Sequence, residues 1–290
     1  MLSAIIEKEI KRGSTVKQWQ KTDETKVMGI LNITPDSFSD GNKYIDLAAA
    51  VKQAESMVAA GASIIDVGGI STRPNFSEVD LEEERSRVIP VIEAIRKKFP
   101  EIWISIDTWR AETAEAAIVA GADLINDQWG GKQDPAILKV AATYNVPICL
   151  MHNRTNTDYD NFMEDVKRDL QESITLAKQA HIPDDHIILD PGFGFVKTPE
   201  QNLEVLRRID EIVALGYEVL LGTSKKSTIG IVLDLPVEER SEGTGATIVY
   251  GITKGCKIVR VHDVLPMMRM VVMTDAILGN RSIGGERKNG

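Results

Sequence analysis

Eight short apolar runs, each followed by a longer amphipathic segment, recur along nearly the whole chain, and few folds accept that pattern. The runs are VMGILNI (27–33), SIIDVG (63–68), IWISID (102–107), ADLIND (122–127), VPICLM (146–151), HIILD (186–190), YEVLLG (217–222) and CKIVRV (256–261). Several are apolar throughout, as strands covered on both faces by helices must be. The segments between them place apolar residues three and four apart. They predict helices over 46–60, 82–98, 111–120, 135–144, 160–180, 199–215, 239–254 and 264–278. Their ends carry the expected punctuation: Gly61 and Gly121 follow the first and third, and Pro100 closes the second. Eight strand–helix units in 290 residues predict a single (β/α)8 TIM barrel of the α/β class. An open doubly wound sheet is the runner-up. It usually has fewer strands and a Gly-rich first turn, and no G-x-G-x-x-G follows the first run.

The barrel is expected over 27–280. A polar, Lys/Glu-rich extension over 1–26 forms a hairpin, plugs the barrel bottom or is partly disordered, and 281–290 is expected to be a flexible tail. The net charge of −9 argues against nucleic-acid and anionic-membrane partners, which need a basic footprint. It leaves room for an anionic small molecule held by a few local cations. Cys149 and Cys256 both lie in apolar runs and read as reduced core residues. The opening MLSAIIEKEIKRG is too short and too charged for a signal peptide, and no apolar stretch is long enough to span a bilayer, so a cytoplasmic location is expected.

In such a barrel the chemistry sits on the loops after the strands' C-terminal ends. Polar residues stand at nearly every one: Asn32, Asp66, Asp107, Asn126 with Asp127, Met151-His152-Asn153-Arg154, Asp190 before PGFGF, GTSKKS from Gly222, and Arg260 with His262. Singly, each is more often a cap or turn former; together they make a site. Arg260 and His262 are two apart on one strand, so they share a face and suit an anion such as diphosphate. Asp107, Asn126 and Asp190 supply acceptors and an amide for a flat heterocycle rich in N–H donors. After Gly222, Lys226 is expected to reach inward and Lys225 to face water. The loops TPDSFSDGN and STRPN are long and polar, which suits lids, and Phe38 could cover an aromatic substrate.

The segments MGILNITPDSFSDG, DVGGISTRP, SIDT, IND, DPGFGF, GTSKKSTIG and RVHD resemble, in order and spacing, the signatures of the dihydropteroate synthase family. The resemblance runs from about Val27 to the last helix. It implies condensation of a dihydropterin diphosphate with p-aminobenzoate, with Mg²⁺ as cofactor and a homodimer as the assembly. It implies that Asn32 ligates Mg²⁺ and, with Thr72, Arg73, Arg260 and His262, meets the diphosphate. Asp107, Asn126, Met151, Asp190, Phe193, Gly222 and Lys226 would form the pterin site. Phe38, Thr72, Arg73, Pro74 and Ser227 would form the p-aminobenzoate site, and Asp40 would face the reacting carbon. Asp40, Asp107, Lys226, Arg260 and His262 are the residues on which catalysis would rest.

The chain departs from the family pattern at Ile70, where Glu is common, at Asn75 for Gly, at Gln128 for an apolar residue, and at Lys225 for Arg. Loss of the planar guanidinium at Lys225 and the altered second loop bear on p-aminobenzoate geometry. A dimer through 264–278 would expose Met267, Met270 and Val271, although core packing accounts for them equally well. Three other readings compete. A corrinoid-dependent methyltetrahydrofolate methyltransferase would need neither the anion clamp nor the TPDSF loop. A non-enzymatic binding paralogue would account for the departures. A sugar-phosphate barrel would leave Asn32 and Asp107 unexplained.

Overall fold

The computed structural model describes residues 17–33, 43–70 and 79–282. Eight parallel strands close into a barrel in chain order. They are β1 (Lys26–Asn32), β2 (Ile64–Gly68), β3 (Trp103–Asp107), β4 (Leu124–Asp127), β5 (Ile148–Met151), β6 (Ile187–Asp190), β7 (Glu218–Leu221) and β8 (Ile258–Val261). Around them lie α1 (Lys43–Ala59), α2 (Leu81–Lys98), α3 (Ala111–Ala120), α4 (Ala136–Tyr144) and α5 (Phe162–Gln179). The ring continues with α6 (Pro199–Arg207), α7 (Ile209–Val213), α8 (Ser227–Leu233), α9 (Ser241–Thr253) and α10 (Val264–Leu278).

Strand alternation sorts each run into two cores. Val27, Leu31, Ile65, Val67, Ile104, Ile106, Ile125, Ile148 and Leu150 point outward and join the helices' apolar faces. Met28, Ile64, Leu124, Cys149, Ile188, Leu220 and Ile258 point inward and fill the lower barrel. Both faces are buried, which is why the strands read as continuous apolar runs.

The segment before β1 closes the barrel bottom. Trp19 joins the inner core and meets Trp103 edge-on at 5.0 Å between ring centroids. Its indole Nε1 donates to Glu218 Oε2 at 2.6 Å, while Lys26 Nζ lies 3.4 Å from Glu218 Oε1 and 4.8 Å over the Trp19 ring. The plug thus supplies the donors that a carboxylate buried at the start of β7 requires. Thr25 fastens the segment to α10, its backbone N and Oγ1 donating to Asp275 at 2.7 and 2.9 Å.

The helices differ from the sequence expectation in two places. The helix expected over 199–215 breaks at Arg208, whose φ of −114° and ψ of 20° leave helical geometry, and the bend lets Ile209 and Ile212 enter the core. A short helix, α8, was not expected from STIGIVL, where a Gly interrupts an apolar run too short to show a period. Gly230 is needed there because an added Cβ would lie 2.2 Å from the Arg240 guanidinium, which reaches past it to Leu235 O and Lys225 O, each at 3.1 Å. On α10 the core-packing alternative holds. Met267 and Val271 are each 1% exposed and Met270 packs on the core, whereas Met273 and Ile277 are 61% and 71% exposed. Among the described residues no helix is long and apolar enough to cross a membrane.

Trp19→Ala is expected to destabilise the fold by about 3 kcal/mol or more, through the cavity and the loss of a donor to Glu218. Trp19→Phe should recover part of the loss. Urea unfolding of both variants measures this, and unfolding curves matching the parent would contradict the plug.

Candidate active site

Above the apolar layers, the last inward positions of β1, β3, β4, β6 and β8 turn polar, with Gly68, Met151 and Gly222 between them. Asn32 and Asp107 flank Gly68: an added Cβ there would lie 3.4 Å from Asp107 Cβ and 3.6 Å from Asn32 Oδ1. Asn126 is level with Asp107, and Met151 with Asp190, in the strand registers. Gly222 stands between Asp190 and Arg260, 3.7 Å from Asp190 Oδ2 by the same measure. Asp107, Asn126, Met151 and Asp190 are all buried, while Asn32 is exposed at the rim.

Arg260 organises this mouth. Its Nε donates to Asp66 Oδ2 and its Nη2 to Asp107 Oδ2, both at 2.6 Å. Asn126 Nδ2 donates to the same Asp66 oxygen at 3.1 Å, and Gln128 Nε2 donates to Asp107 Oδ1. Asp66 Oδ1 is buried without a hydrogen bond among the described residues. Acceptors therefore exceed donors, which suits a ligand edge rich in N–H groups.

Burial dominates the proton affinities. It raises Asp107 to about 6 against the opposing charge of Arg260, and raises Asp190 against Lys226. It lowers Lys226 to about 8 against the pull of Asp190. The Arg260 guanidinium stays charged: burial opposes its charge, but Asp66 and Asp107 outweigh it and push its pKa up. Carboxylates and a lysine shifted toward neutrality in one concave site mark a functional centre.

The β6–α6 and β7–α8 loops close one side. Lys226 Nζ donates to Phe193 O and sits 4.2 Å over the Phe195 ring. Gly194, with φ +81°, leaves room for the Lys226 stem, because an added Cβ would lie 2.6 Å from Cδ. At the rim, Ser224 Oγ lies 2.9 Å from His262 Nδ1.

The structure brings together Asn32, Asp107, Asn126, Met151, Asp190, Gly222, Lys226 and Arg260, and leaves His262 exposed beside Ser224. It does not gather every expected residue. Phe193 is 1% exposed and belongs to the outer core, so it does not line the mouth; only its carbonyl faces Lys226, and Phe195 takes the lining position. The intervening Gly194 reverses the direction in which successive side chains point. Arg260 and His262 share a strand face but not a task, since the guanidinium is turned down to Asp66 and Asp107. Lys225 does not simply face water: its Nζ pairs with Asp263 at 2.8 Å, from a residue with φ 56°. Ser227 is exposed at the start of α8. Phe38, Asp40, Thr72, Arg73, Pro74 and Asn75 lie outside the described residues.

Asp66 and Gln128 were missed as partners of this site. Alternation from Ile64 already turned Asp66 inward, but nothing in the sequence showed that Arg260 would cross the barrel to it. Gln128 stood out only as a departure from pattern.

A closed barrel whose mouth holds buried acceptors, a paired guanidinium and a half-buried lysine defines a barrel enzyme for a donor-rich ring, and the family described as pterin binding enzyme matches residues 28–262. The dihydropteroate synthase of Clostridium beijerinckii is 58% identical over 263 residues, covering 90% of this chain and 97% of that protein. That of Bacillus subtilis is 53% identical over 261 residues, covering 90% and 91%. A Clostridium difficile dihydropteroate synthase structure obtained in the presence of pteroic acid superposes with a TM-score of 0.87 at 48% identity, covering 90% of this chain and 99% of that one. A Xanthomonas albilineans synthase structure with 4-aminobenzoic acid gives 0.84 at 38% identity, covering 88% and 94%. The chain belongs to the dihydropteroate synthase family, whose members are transferases.

Arg260→Gln would leave Asp66 and Asp107 buried without their counter-ion, at an expected cost of about 3 kcal/mol near neutral pH. In that variant the folded-state pKa of Asp107, already raised to about 6, rises further above its unfolded value. The penalty therefore shrinks as pH falls through it. Urea unfolding at pH 7.5 and pH 5 measures the difference; a pH-independent penalty would contradict the pairing.

Proposed function

We propose that this protein condenses 6-hydroxymethyl-7,8-dihydropterin diphosphate with p-aminobenzoate, giving 7,8-dihydropteroate and diphosphate in folate biosynthesis. The observation that carries the reading is the buried acceptor set Asp107, Asn126 and Asp190, closed by Arg260 and Lys226. A pterin edge carries ring N–H and amino donors for the carboxylates, and a carbonyl oxygen and ring nitrogen for Lys226. A carboxylate-bearing ring would meet repulsion there.

The C–O bond from the exocyclic methylene to diphosphate breaks, and its electron pair leaves with the anion. The aniline nitrogen of p-aminobenzoate supplies the pair for the new C–N bond and releases a proton to solvent or diphosphate. Because the nitrogen is already nucleophilic, no covalent enzyme intermediate is needed. The methylene becomes cation-like, so a carboxylate near it stabilises the transition state; the resemblance gives this role to Asp40. One such pair at about 4 Å and an effective dielectric of about 20 is worth roughly 4 kcal/mol. His262, with Arg73 and Thr72 from the second loop, would supply donors for the leaving group, while Arg260, whose Nε and Nη2 are committed to Asp66 and Asp107, would supply the positive charge behind them. Phe38, Pro74 and Ser227 would hold the aromatic amine.

Mg²⁺ fits this donor set as a cation arriving with the diphosphate. Among the described residues no three His, Cys, Asp or Glu side chains cluster as a metal cage. The exposed Asn32 amide offers one hard oxygen, and such a cation keeps several waters and takes its other oxygens from phosphate. When bound, it would neutralise charge on the leaving group. The exposed apolar side chains of α10, with Ile231 and Val232 of α8, support a homodimer. A cytoplasmic location fits the two reduced, buried cysteines.

The direct test incubates the protein with both substrates and Mg²⁺ and measures dihydropteroate; absence of product would overturn the reading. Lys226→Ala is expected to weaken pterin binding by about 2 kcal/mol, roughly thirtyfold, in calorimetry. Ionised Asp107 accepts from the ring more strongly than its acid, and charged Lys226 donates more strongly than its neutral amine. Affinity for 6-hydroxymethylpterin is therefore expected to fall below about pH 6 and above about pH 8. A flat profile from pH 5 to 9 would remove both from ring binding.

A further inference from the structure

Behind the β6–α6 loop lies a half-buried polar chain, centred on the buried His152, that the reaction does not use. Asp169, on α5, accepts from Arg154 Nε at 2.5 Å and Nη2 at 3.2 Å, and its Oδ2 lies 3.1 Å from His152 Nε2. The other imidazole nitrogen, Nδ1, is 2.8 Å from Lys197 Nζ. Lys197 Nζ also donates to Gly192 O at 3.0 Å and Phe195 O at 3.2 Å. Three acceptors around one nitrogen match the three N–H bonds of an ammonium. With Nδ1 accepting, Nε2 carries the imidazole proton and donates it to Asp169.

We propose that Lys197 is a positioning residue: it clamps the loop 191–196 so that this loop holds Lys226 and Phe195 at the ring site. The inference rests on the reading above that the mouth binds a pterin.

The loop has a shape it would not keep unaided. Gly192 and Gly194 have φ of +66° and +81°, and Val196, a β-branched residue, has φ of 42°. Gly192 presses on the backbone beneath it, since an added Cβ would lie 2.0 Å from His152 O. Tyr159 Oη donates to Val196 O at 3.0 Å, and Tyr159 is itself covered by Arg154 at 4.4 Å. On the far side Asn202 Oδ1 accepts from Gly194 N at 2.7 Å, and Asn202 Nδ2 donates to Thr228 Oγ1 of α8 at 3.1 Å. The loop is thus fastened to α5 through Lys197, His152 and Asp169, and to α8 through Asn202. Its two products face the site: the Phe193 carbonyl that receives Lys226, and the Phe195 ring beneath the ammonium.

The protonation states of His152 and Asp169 agree with the geometry, and the three-donor ammonium of Lys197 is the form present below its own pKa. Burial lowers His152 to about 4 despite the hydrogen bond to Asp169, so the ring is neutral and Nδ1 accepts. Burial also works against ionisation of Asp169, yet hydrogen bonds from His152 and Arg154 hold its pKa well below the usual range. Burial lowers Lys197 to about 7, with Asp190 and Asp169 opposing and Lys226 and Arg154 reinforcing.

Two measurements separate a clamp from a merely structural residue. Without substrate, hydrogen exchange at the amides of Gly192, Gly194 and Phe195 is compared between the parent and Lys197→Met. At least tenfold faster exchange there, with β1–β4 unchanged, is expected; unchanged loop exchange overturns the proposal. With substrates, Lys197→Met is expected to raise KM for the pterin diphosphate at least tenfold and leave kcat within about threefold. In a Lys226→Ala background it should change KM by less than about twofold, because the contact it positions is gone. A full tenfold effect in that background overturns the link to Lys226. Should Lys197→Met not fold, Asp169→Asn reaches the same clamp through His152 and is read identically. If the parent makes no dihydropteroate, the functional reading falls, while the exchange comparison still decides the clamp.

Discussion

Two carboxylates buried inside a barrel are tolerable only if an opposite charge lies against them, and the half-buried Arg260 supplies it. Asp66 is fully buried and Asp107 nearly so, and each gives Arg260 a 2.6 Å contact. Burying one such carboxylate alone would cost several kcal/mol, and an ion pair recovers that cost only with good geometry and further hydrogen bonds. Asn126 on Asp66 and Gln128 on Asp107 supply those bonds. The cluster therefore contributes little net stability. What it yields is a fixed set of acceptor directions on three strands, held before any ligand arrives, which is the preorganisation an electrostatic site requires.

The barrel below makes that arrangement possible. Small or absent side chains at Gly68 and Gly222 leave room between the polar groups, while Met28, Ile64, Leu124 and Ile258 form a dry floor. Trp19 seals the bottom, so water reaches the carboxylates from the mouth. Exclusion from below and pairing from the side account together for carboxylates raised toward neutrality and a lysine lowered to about 8.

How much of this was legible follows from distance along the chain. The strands were readable because each needs only its own alternation, and the observed bounds fall within two residues of the expected ones. Asp107, Asn126 and Asp190 were readable because position at a strand end fixes direction. What needed a partner across the barrel was not readable: the Arg260–Asp66 contact joins residues 194 apart, and Trp19–Glu218 joins residues 199 apart. Glycine-bearing loops failed for another reason. A left-handed Gly194 breaks alternation, so Phe193 and Phe195 exchanged the roles that a simple count would give them. The short α8 carries too few residues for a period to declare itself.

The departures from the family pattern look different once placed. Lys225 keeps a cation opposite Asp263, so what changes is the number of donors rather than the sign of the charge. Gln128 is more consequential, because an apolar residue there could not donate to Asp107. Its amide caps one carboxylate oxygen while Arg260 caps the other, and it is among the forces that hold the Asp107 pKa down against burial. The substitution therefore acts on the proton affinity of a buried carboxylate at the mouth rather than on the shape of the pocket. A carboxylate held by one donor from β8 and another from the turn after β4 is also harder to rotate, so the same amide that favours ionisation fixes the direction in which the remaining lone pairs point.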